Sequence, residues 1–167
     1  PLYTGGRPVF VDIEDKQLGL DPDAVLEAIT PKTKAIIPIH YGGIPCKINE
    51  LREIADDHNL ILIEDAAEAF GASYKEQKVG TVGDSAIFSF CHNKIFTTSE
   101  GGCIVTHDKQ IYDNITKILS YGRISEGNYF TTTKGIDYVS VGYNWRMSSI
   151  LAALGISFNK LNCSFKR

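Results

Sequence analysis

Short apolar runs alternate along this chain with longer segments of mixed polarity. The clearest run, Leu60-Ile-Leu-Ile63, is followed at once by acidic and small residues, as expected for a central parallel strand that is covered on both faces. The alternation is typical of an α/β protein with a mostly parallel sheet and helices on both faces. The predicted strands are 8–13, 35–39, 60–64, 85–90 and 102–106, and the predicted helices are 21–30, 48–58, 108–120 and 147–161.

Capping signals support two of these helix boundaries. Asp21 and Pro22 provide an N-cap followed by a proline in the first helical position. Gly122 follows the third predicted helix, where glycine commonly serves as a C-cap. Residues 123–140 are polar and rich in Gly, Thr and Tyr, which predicts a long loop; such loops in compact domains are usually functional or mobile.

Two residues mark the ends of predicted parallel strands. Ligands bind outside the carboxyl ends of the strands in open α/β sheets, and Asp65 stands there as a fixed negative charge that could meet a ligand cation. Alternatively, Asp65 could cap a following helix. His40 ends the run 35–39 and is expected to point toward the same crevice, although a lone histidine can equally be a satisfied structural residue.

Lys94 is the most informative candidate for chemistry. It lies between an apolar strand-like run and the pair Gly101–Gly102, 29 positions after Asp65. A buried lysine is unfavourable by several kcal/mol unless its charge is paired or lost. A carbonyl cofactor would remove that charge by forming an imine. The alternative is an ordinary surface lysine in a loop.

Six segments in order along the chain resemble those of the DegT/DnrJ/StrS family, the pyridoxal-phosphate-dependent sugar-nucleotide aminotransferases with the aspartate-aminotransferase fold. No single segment is decisive, but the ordered set is specific. The segments are Arg7–Asp12, Thr33–Gly42, Glu64–Tyr74, Gly83–Asp84, Ser89–Gly102 and Gly142–Met147. The resemblance implies that the chain is the central part of the large domain of a fold type I transferase.

The resemblance implies specific roles for three residues toward pyridoxal 5′-phosphate. Lys94 would form the Schiff base with the cofactor and then shuttle a proton during amino transfer. Asp65 would pair with the protonated pyridine nitrogen, which makes the ring the electron sink that transamination requires. Ser89, five residues before Lys94, would bind the phosphate, since hydroxyl donors suit a dianion.

Four further residues are carried over from the family pattern. Ala67 would lie beneath the pyridine ring and Glu68 near the ring hydroxyl. Asn144 would reach the phosphate bound in the neighbouring subunit, which implies a homodimer with shared active sites. His40 is included as a cofactor-binding candidate. Packing, turn or helix-start roles are open alternatives for these residues and for Ser89.

The segments around Asn93–Lys94 and Glu64–Glu68 look closest to the 4-amino-4,6-dideoxysugar branch, which includes perosamine synthases. This implies transfer of an amino group from an amino acid, glutamate, to a nucleotide-linked 4-keto-6-deoxy sugar. Ser99 stands where the family often has glycine. A related dehydratase branch has histidine in place of the lysine, so Lys94 favours amino transfer. A dehydratase of the same family and a non-catalytic α/β binding module are the alternatives.

Composition narrows the function classes. The 167 residues include 43% hydrophobic residues and carry a net charge of −3 with a pI near 5.8, which gives no reason to expect binding to nucleic acid or to a membrane surface. The sequence has neither a G-x-x-x-x-G-K-[ST] nor a G-x-G-x-x-G motif. Its four cysteines lack C-x-x-C spacing, so we expect reduced thiols, a cytoplasmic location and no metal site.

The chain begins at Pro1 rather than at methionine. By comparison with the family, residues 1–167 are expected to be a partial large domain. The expectation is that the N-terminal segment with its phosphate-binding loop and the C-terminal small domain are absent. Such a piece would expose unpaired strand edges, so we expect it to self-associate and to lack transaminase activity when expressed alone.

Overall fold

The computed structural model describes residues 1–124 and 137–164, with the side chains of 159 and 161–164 left aside. It contains two compact units, Pro1–Val105 and Thr106–Arg167, which are described separately. The helices are α1 (Pro22–Ala28), α2 (Ile48–Asp57), α3 (Lys109–Leu119) and α4 (Ser149–Ser164), with short 3-10 turns at Leu2–Thr4 and Tyr41–Gly43. The strands are β1 (Ala35–Ile36), β2 (Ile61–Asp65), β3 (Ser73–Tyr74), β4 (Gln77–Lys78), β5 (Ser85–Ser89), β6 (Gly102–Thr106), β7 (Arg123–Ile124) and β8 (Asp137–Tyr138).

The main sheet has the strand order β1-β2-β5-β6. β2 pairs in parallel with β1 and with β5, and Asp65 lies opposite Ile87 in the β2–β5 register. The predicted α/β architecture is confirmed. Because these strands are parallel, the carboxyl ends of β2 and β5 meet at the same edge of the sheet, where the loops that follow them can form a site.

Helix α2 covers this sheet with an apolar face. Its buried residues, Ile48, Leu51, Ile54 and Ala55, recur with helical spacing. They pack with residues of α1, β1 and β2 into the main core. The core residues are Val25, Ile36, Cys46, Ile48, Leu51, Ile54, Ala55, Leu60 and Leu62.

The predicted N-cap is present, whereas the C-cap of α3 is Ser120, two residues before the predicted Gly122. The Asp21 side chain accepts the Asp23 N–H at the start of α1, with Pro22 in the first turn. After α3, Gly122 has a φ of 72°, and its N–H donates to the Lys117 carbonyl at 2.8 Å. This bond satisfies a carbonyl of the last helical turn, and Tyr121, with a φ of 63°, takes the left-handed position before Gly122.

The strand predicted at 8–13 is wrong. Among the described residues, this segment makes only a single bridge, from Ile13 to Leu20, and the Phe10 side chain is 90% exposed. An extended segment becomes a strand when a neighbour takes its backbone hydrogen bonds, and the part of the chain seen here offers no such neighbour beside 8–13. The strand predicted at 35–39 is reduced to Ala35–Ile36, followed by a single bridge between Ile39 and Asp65.

The other boundary differences are small. Helix α4 begins at Ser149, two residues later than predicted. The predicted loop 123–140 contains, at its two ends, the antiparallel pair β7–β8, and residues 125–136 lie outside the described residues. Within 1–124 and 137–164, no helix combines the length and the apolar character needed to cross a bilayer.

Candidate active site

A pocket of about 230 Å³ lies at the carboxyl ends of β2 and β5. The turn after β2 forms one side of it, and the loop between β5 and β6 forms the other. The residues that line it are Gly42, Ala67, Glu68, Phe70, Ser89, Asn93, Lys94, Ile95 and Phe96. Four of the residues selected from the sequence therefore share one pocket: Ala67, Glu68, Ser89 and Lys94.

Lys94 is held in the pocket wall rather than in open solvent. Its side chain is 19% exposed, and its Nζ lies 3.4 Å from Glu68 Oε1. The Lys94 backbone N–H donates to the Cys91 carbonyl at 3.0 Å, which closes a turn in the loop from β5 to β6. The chain thus presents a primary amine beside one carboxylate, at the edge of the sheet where ligands are expected.

Glu68 connects Lys94 with the turn that follows β1. Its other oxygen, Oε2, accepts the Gly42 N–H at 2.8 Å. The Gly42 N–H and, next, the Lys94 ammonium lower the pKa of Glu68, because both stabilise the ionised carboxylate. Glu68 is therefore an anion that orients the lysine amine.

Asp65 and Ala67 form a turn at the end of β2. The Ala67 N–H donates to Asp65 Oδ1 at 3.1 Å, while the Asp65 carbonyl accepts the His40 N–H at 3.0 Å. Residues 66–72 form turns, so Asp65 closes an Asx turn and is not a helix N-cap. Its side chain is half-buried and does not line the pocket; its role toward a cofactor remains a prediction.

Ser89 ends β5 within the pocket. Its Oγ accepts the Cys91 N–H at 3.3 Å, which aligns the hydroxyl at the start of the loop. This is the place where a hydroxyl could donate to an anionic group of a ligand. Ser89 and Lys94 thus line the same pocket, and the role of Ser89 toward a phosphate remains a prediction.

His40 is not part of the pocket. Its side chain is fully buried, with Nε2 3.0 Å from Glu64 Oε2, and Nδ1 accepts the Cys46 N–H at 3.1 Å. Both ring nitrogens are engaged inside the protein, so the ring supports the strand ends rather than facing the crevice. These contacts match the alternative interpretation of His40, that of a structural histidine whose polar atoms are all hydrogen-bonded.

Asn144 belongs to the second unit, Thr106–Arg167. It pairs with Ser120 through an isolated β-bridge, and its Oδ1 accepts from Arg146 Nε at 2.8 Å. The Tyr143 and Trp145 rings stack with centroids 4.0 Å apart. The contact of Asn144 with the phosphate site of a neighbouring subunit remains a prediction.

An aromatic cluster next to the loop between β5 and β6 was not predicted from the sequence. Phe70 stacks on Phe96 with ring centroids 4.5 Å apart, and Phe90 meets Phe96 edge-on at 5.2 Å. Phe88 contacts Phe70 at 5.6 Å. The cluster joins the turn after β2 to the loop that carries Lys94. The alternation of Phe88 and Phe90 in one strand-like run was the available signal.

Gly42, Asn93 and Ile95 are the other pocket residues that the sequence analysis did not select. Asn93 and Ile95 flank Lys94, so their position beside the lysine was the available clue. Gly42 has a φ of 59° and gives its N–H to Glu68. Nothing local in the sequence connects Gly42 with a glutamate 26 positions away.

The sequence of this chain is similar to those of known proteins. Residues 2–163 match the sequence model of the DegT/DnrJ/EryC1/StrS aminotransferase family. GDP-perosamine synthase of Escherichia coli O157:H7 is 41% identical over 155 residues, which span 93% of this chain and 41% of that protein. The spore coat polysaccharide biosynthesis protein SpsC of Bacillus subtilis is 36% identical over 158 residues, again 93% of this chain and 41% of the relative.

Solved structures share the fold. Helicobacter pylori PseC, an aminotransferase involved in pseudoaminic acid biosynthesis, superposes with a TM-score of 0.87 at 31% identity, over 95% of this chain and 41% of that one. DesI, solved in the presence of its TDP-sugar product, gives 0.78 at 36% identity, over 93% and 37%. The chain thus spans about two fifths of the length of the curated relatives it matches.

Proposed function

Because this chain belongs to the DegT/DnrJ/EryC1/StrS aminotransferase family, we propose that the protein transfers an amino group from glutamate to a nucleotide-linked 4-keto-6-deoxy sugar, with pyridoxal 5′-phosphate as cofactor. The observation that carries the proposal is the Lys94 amine, held in a pocket at the sheet edge 3.4 Å from Glu68. The similarity to GDP-perosamine synthase supports the substrate class.

The residues of the pocket fit this cofactor by their chemistry. A phosphorylated aromatic aldehyde needs an amine for its aldehyde carbon, a hydroxyl for its phosphate and a small side chain against the ring. Lys94, Ser89 and Ala67 supply these groups from one pocket. When bound, pyridoxal 5′-phosphate supplies the electron sink that stabilises negative charge on the substrate carbon.

Lys94 is the proposed nucleophile and general base. Nζ would hold the cofactor at its aldehyde carbon, and during amino transfer it would take a proton from the substrate carbon and return it. Glu68 keeps Nζ directed into the pocket by charge attraction, and the Gly42 N–H keeps Glu68 in place.

Asp65 is proposed to supply the negative charge that holds the pyridine nitrogen protonated, since an opposite charge nearby raises the pKa of a cation. The Ala67 N–H fixes one of its carboxylate oxygens. We also propose a homodimer in which Asn144 completes the phosphate site of the partner subunit. The nucleotide sugar and the amino-acid donor are the proposed small-molecule partners.

The test is reductive trapping in the full-length protein loaded with pyridoxal 5′-phosphate. Borohydride should fix the cofactor to the peptide that contains Lys94, and Lys94→Ala should lose both this adduct and turnover of a nucleotide-linked 4-keto-6-deoxy sugar with glutamate. The exposed Lys32 offers a control, so Lys32→Ala should behave as the parent. An adduct on another lysine would remove Lys94 from the mechanism. A sugar product without nitrogen would contradict amino transfer and favour the dehydratase alternative.

A further inference from the structure

Three different donor groups meet within the loop between β5 and β6, the loop that carries Lys94. Cys91 and His92 open the loop after β5, and Glu100 closes it before β6. One ligand atom from each, a thiol sulfur, an imidazole nitrogen and a carboxylate oxygen, lies within 4.8 Å of the other two. Sulfur, nitrogen and oxygen donors of this kind are those that zinc accepts in proteins.

The distance between the first two donors suits one metal ion. Cys91 Sγ lies 3.5 Å from His92 Nδ1. Zinc bonds of about 2.3 Å to sulfur and about 2.0 Å to nitrogen at a tetrahedral angle place these two atoms about 3.5 Å apart. A hydrogen bond would also give this distance, so the approach of Glu100 from the far end of the loop is the informative observation.

The backbone holds these donors together without a metal. The Phe90 N–H donates to the Gly101 carbonyl at 2.9 Å, and the Thr98 N–H donates to the Phe90 carbonyl at 3.0 Å. The Thr98 hydroxyl donates to the Glu100 carbonyl at 2.7 Å. The two ends of the loop are therefore already adjacent, and a metal would bind with little rearrangement of the chain.

We propose that Cys91, His92 and Glu100 form a three-ligand site for Zn²⁺, with water in the fourth position. Cys91 is half-buried, while His92 and Glu100 are exposed, which leaves room for that water and for entry of the ion. Binding converts the thiol to a thiolate and releases its proton to solvent, so no oxidant or reductant is required. Because the ligands stand at both ends of the loop, the metal restrains the segment that carries Lys94.

The other described cysteines are poor competitors for the metal. Cys46 is fully buried, and burial raises the pKa of its thiol to about 12. Burial also raises the pKa of Cys103. Since the thiolate is the form that binds a metal, both environments oppose ligation. Cys103 therefore provides a matched control for Cys91.

The test uses cofactor-free protein, treated with a chelator and titrated with Co²⁺, whose thiolate complexes absorb in the near ultraviolet. We expect one equivalent of Co²⁺ to give this absorption and Zn²⁺ to displace it, because a tetrahedral site with a thiolate ligand favours zinc. Cys91→Ser should abolish the band, and His92→Ala and Glu100→Gln should each weaken binding at least tenfold. Cys103→Ser and Lys94→Ala should bind as the parent does.

The outcomes separate this site from the proposed function. No stoichiometric Co²⁺ binding, or a band that survives Cys91→Ser, would overturn the metal site. Loss of the band in Cys103→Ser would do the same by assigning the thiolate elsewhere. Circular dichroism of each variant checks that the fold is retained. Because the readout needs neither pyridoxal 5′-phosphate nor a sugar, failure of the aminotransferase proposal would leave the result unaffected.

Discussion

His40 donates from Nε2 to Glu64 Oε2 at 3.0 Å, and both side chains are fully buried. Since His40 Nδ1 accepts the Cys46 N–H, the ring is assigned as the neutral tautomer with its proton on Nε2. Glu64 also accepts three backbone N–H groups of the turn before β5, those of Gly80, Val82 and Gly83. One buried carboxylate thus joins the end of β1, strand β2 and the turn that leads into β5.

Glu64→Gln is expected to lower the free energy of unfolding by about 3 kcal/mol near neutral pH. The amide replaces an accepting oxygen with an N–H₂ group that faces backbone donors, which leaves a buried polar group unsatisfied. Urea unfolding measures the change. The exposed Glu53 provides the control, and Glu53→Gln should leave the midpoint unchanged. Equal midpoints for Glu64→Gln and the parent would show that this network contributes little.

The same carboxylate predicts how stability depends on acid. Burial raises the pKa of Glu64. The His40 N–H and the three backbone N–H groups together lower the pKa by more than burial raises it, so the net pKa lies below the usual 4.5. The ionised form is therefore favoured in the folded protein, and its contribution is present above pH 4.5. It is lost as pH falls through the lowered pKa. Unfolding measured between pH 3 and pH 7 should show a smaller slope for Glu64→Gln than for Glu53→Gln.

Asp65→Asn is expected to keep the turn after β2 while removing the charge. The asparagine carbonyl can still accept the Ala67 N–H, so the melting temperature should change little. Turnover should fall at least tenfold if Asp65 keeps the pyridine nitrogen protonated, and the loaded protein's absorption spectrum should shift. Asp57→Asn, at the exposed end of α2, is the control. Unchanged turnover and spectrum would assign Asp65 to the turn alone.

Ser99→Gly is expected to stabilise the protein by about 0.5–1 kcal/mol. Ser99 has a φ of 73°, a left-handed conformation that disfavours residues with a Cβ by about 1–2 kcal/mol, while glycine loses part of this gain through the entropy of its unfolded chain. Thermal or urea unfolding measures the change. Ser85 has no positive φ, so Ser85→Gly should destabilise instead. A loss of stability in Ser99→Gly would contradict the strain argument.

Gly102→Ala is expected to destabilise the protein by about 2 kcal/mol. A Cβ at this position would stand 2.6 Å from the Phe88 carbonyl, so β5 and β6 would have to move apart. A Cβ at Gly6 would come no closer than 3.2 Å to its nearest atom, the Pro1 carbonyl oxygen at the chain end, which makes Gly6→Ala the control. Unfolding by urea compares the two. Equal stabilities would mean that β6 can shift without cost.

Local patterns in the sequence predicted the elements on which the site is built. The apolar runs at 60–64, 85–90 and 102–106 predicted β2, β5 and β6, because a short run of apolar residues bounded by turn residues is enough to indicate a strand. Asp21 and Gly122 predicted helix ends, because capping involves hydrogen bonds within one turn. The segments around Asp65 and Lys94 also predicted the family, which the match over residues 2–163 confirms.

The tertiary structure decided which residues meet. Glu68 bonds Gly42 and Lys94, each 26 positions away, and His40 bonds Glu64 at a separation of 24 positions. No local period encodes such contacts, because they follow from the parallel pairing that brings the carboxyl ends of β1, β2 and β5 to one edge. Strand formation also depends on tertiary pairing. Residues 8–13 have a strand-like sequence, but no neighbouring strand among the described residues pairs with them, so they do not form a strand. The local sequence therefore determines the central strands and the helix caps, whereas strand pairing at the margins and the partners of side chains depend on how the strands align.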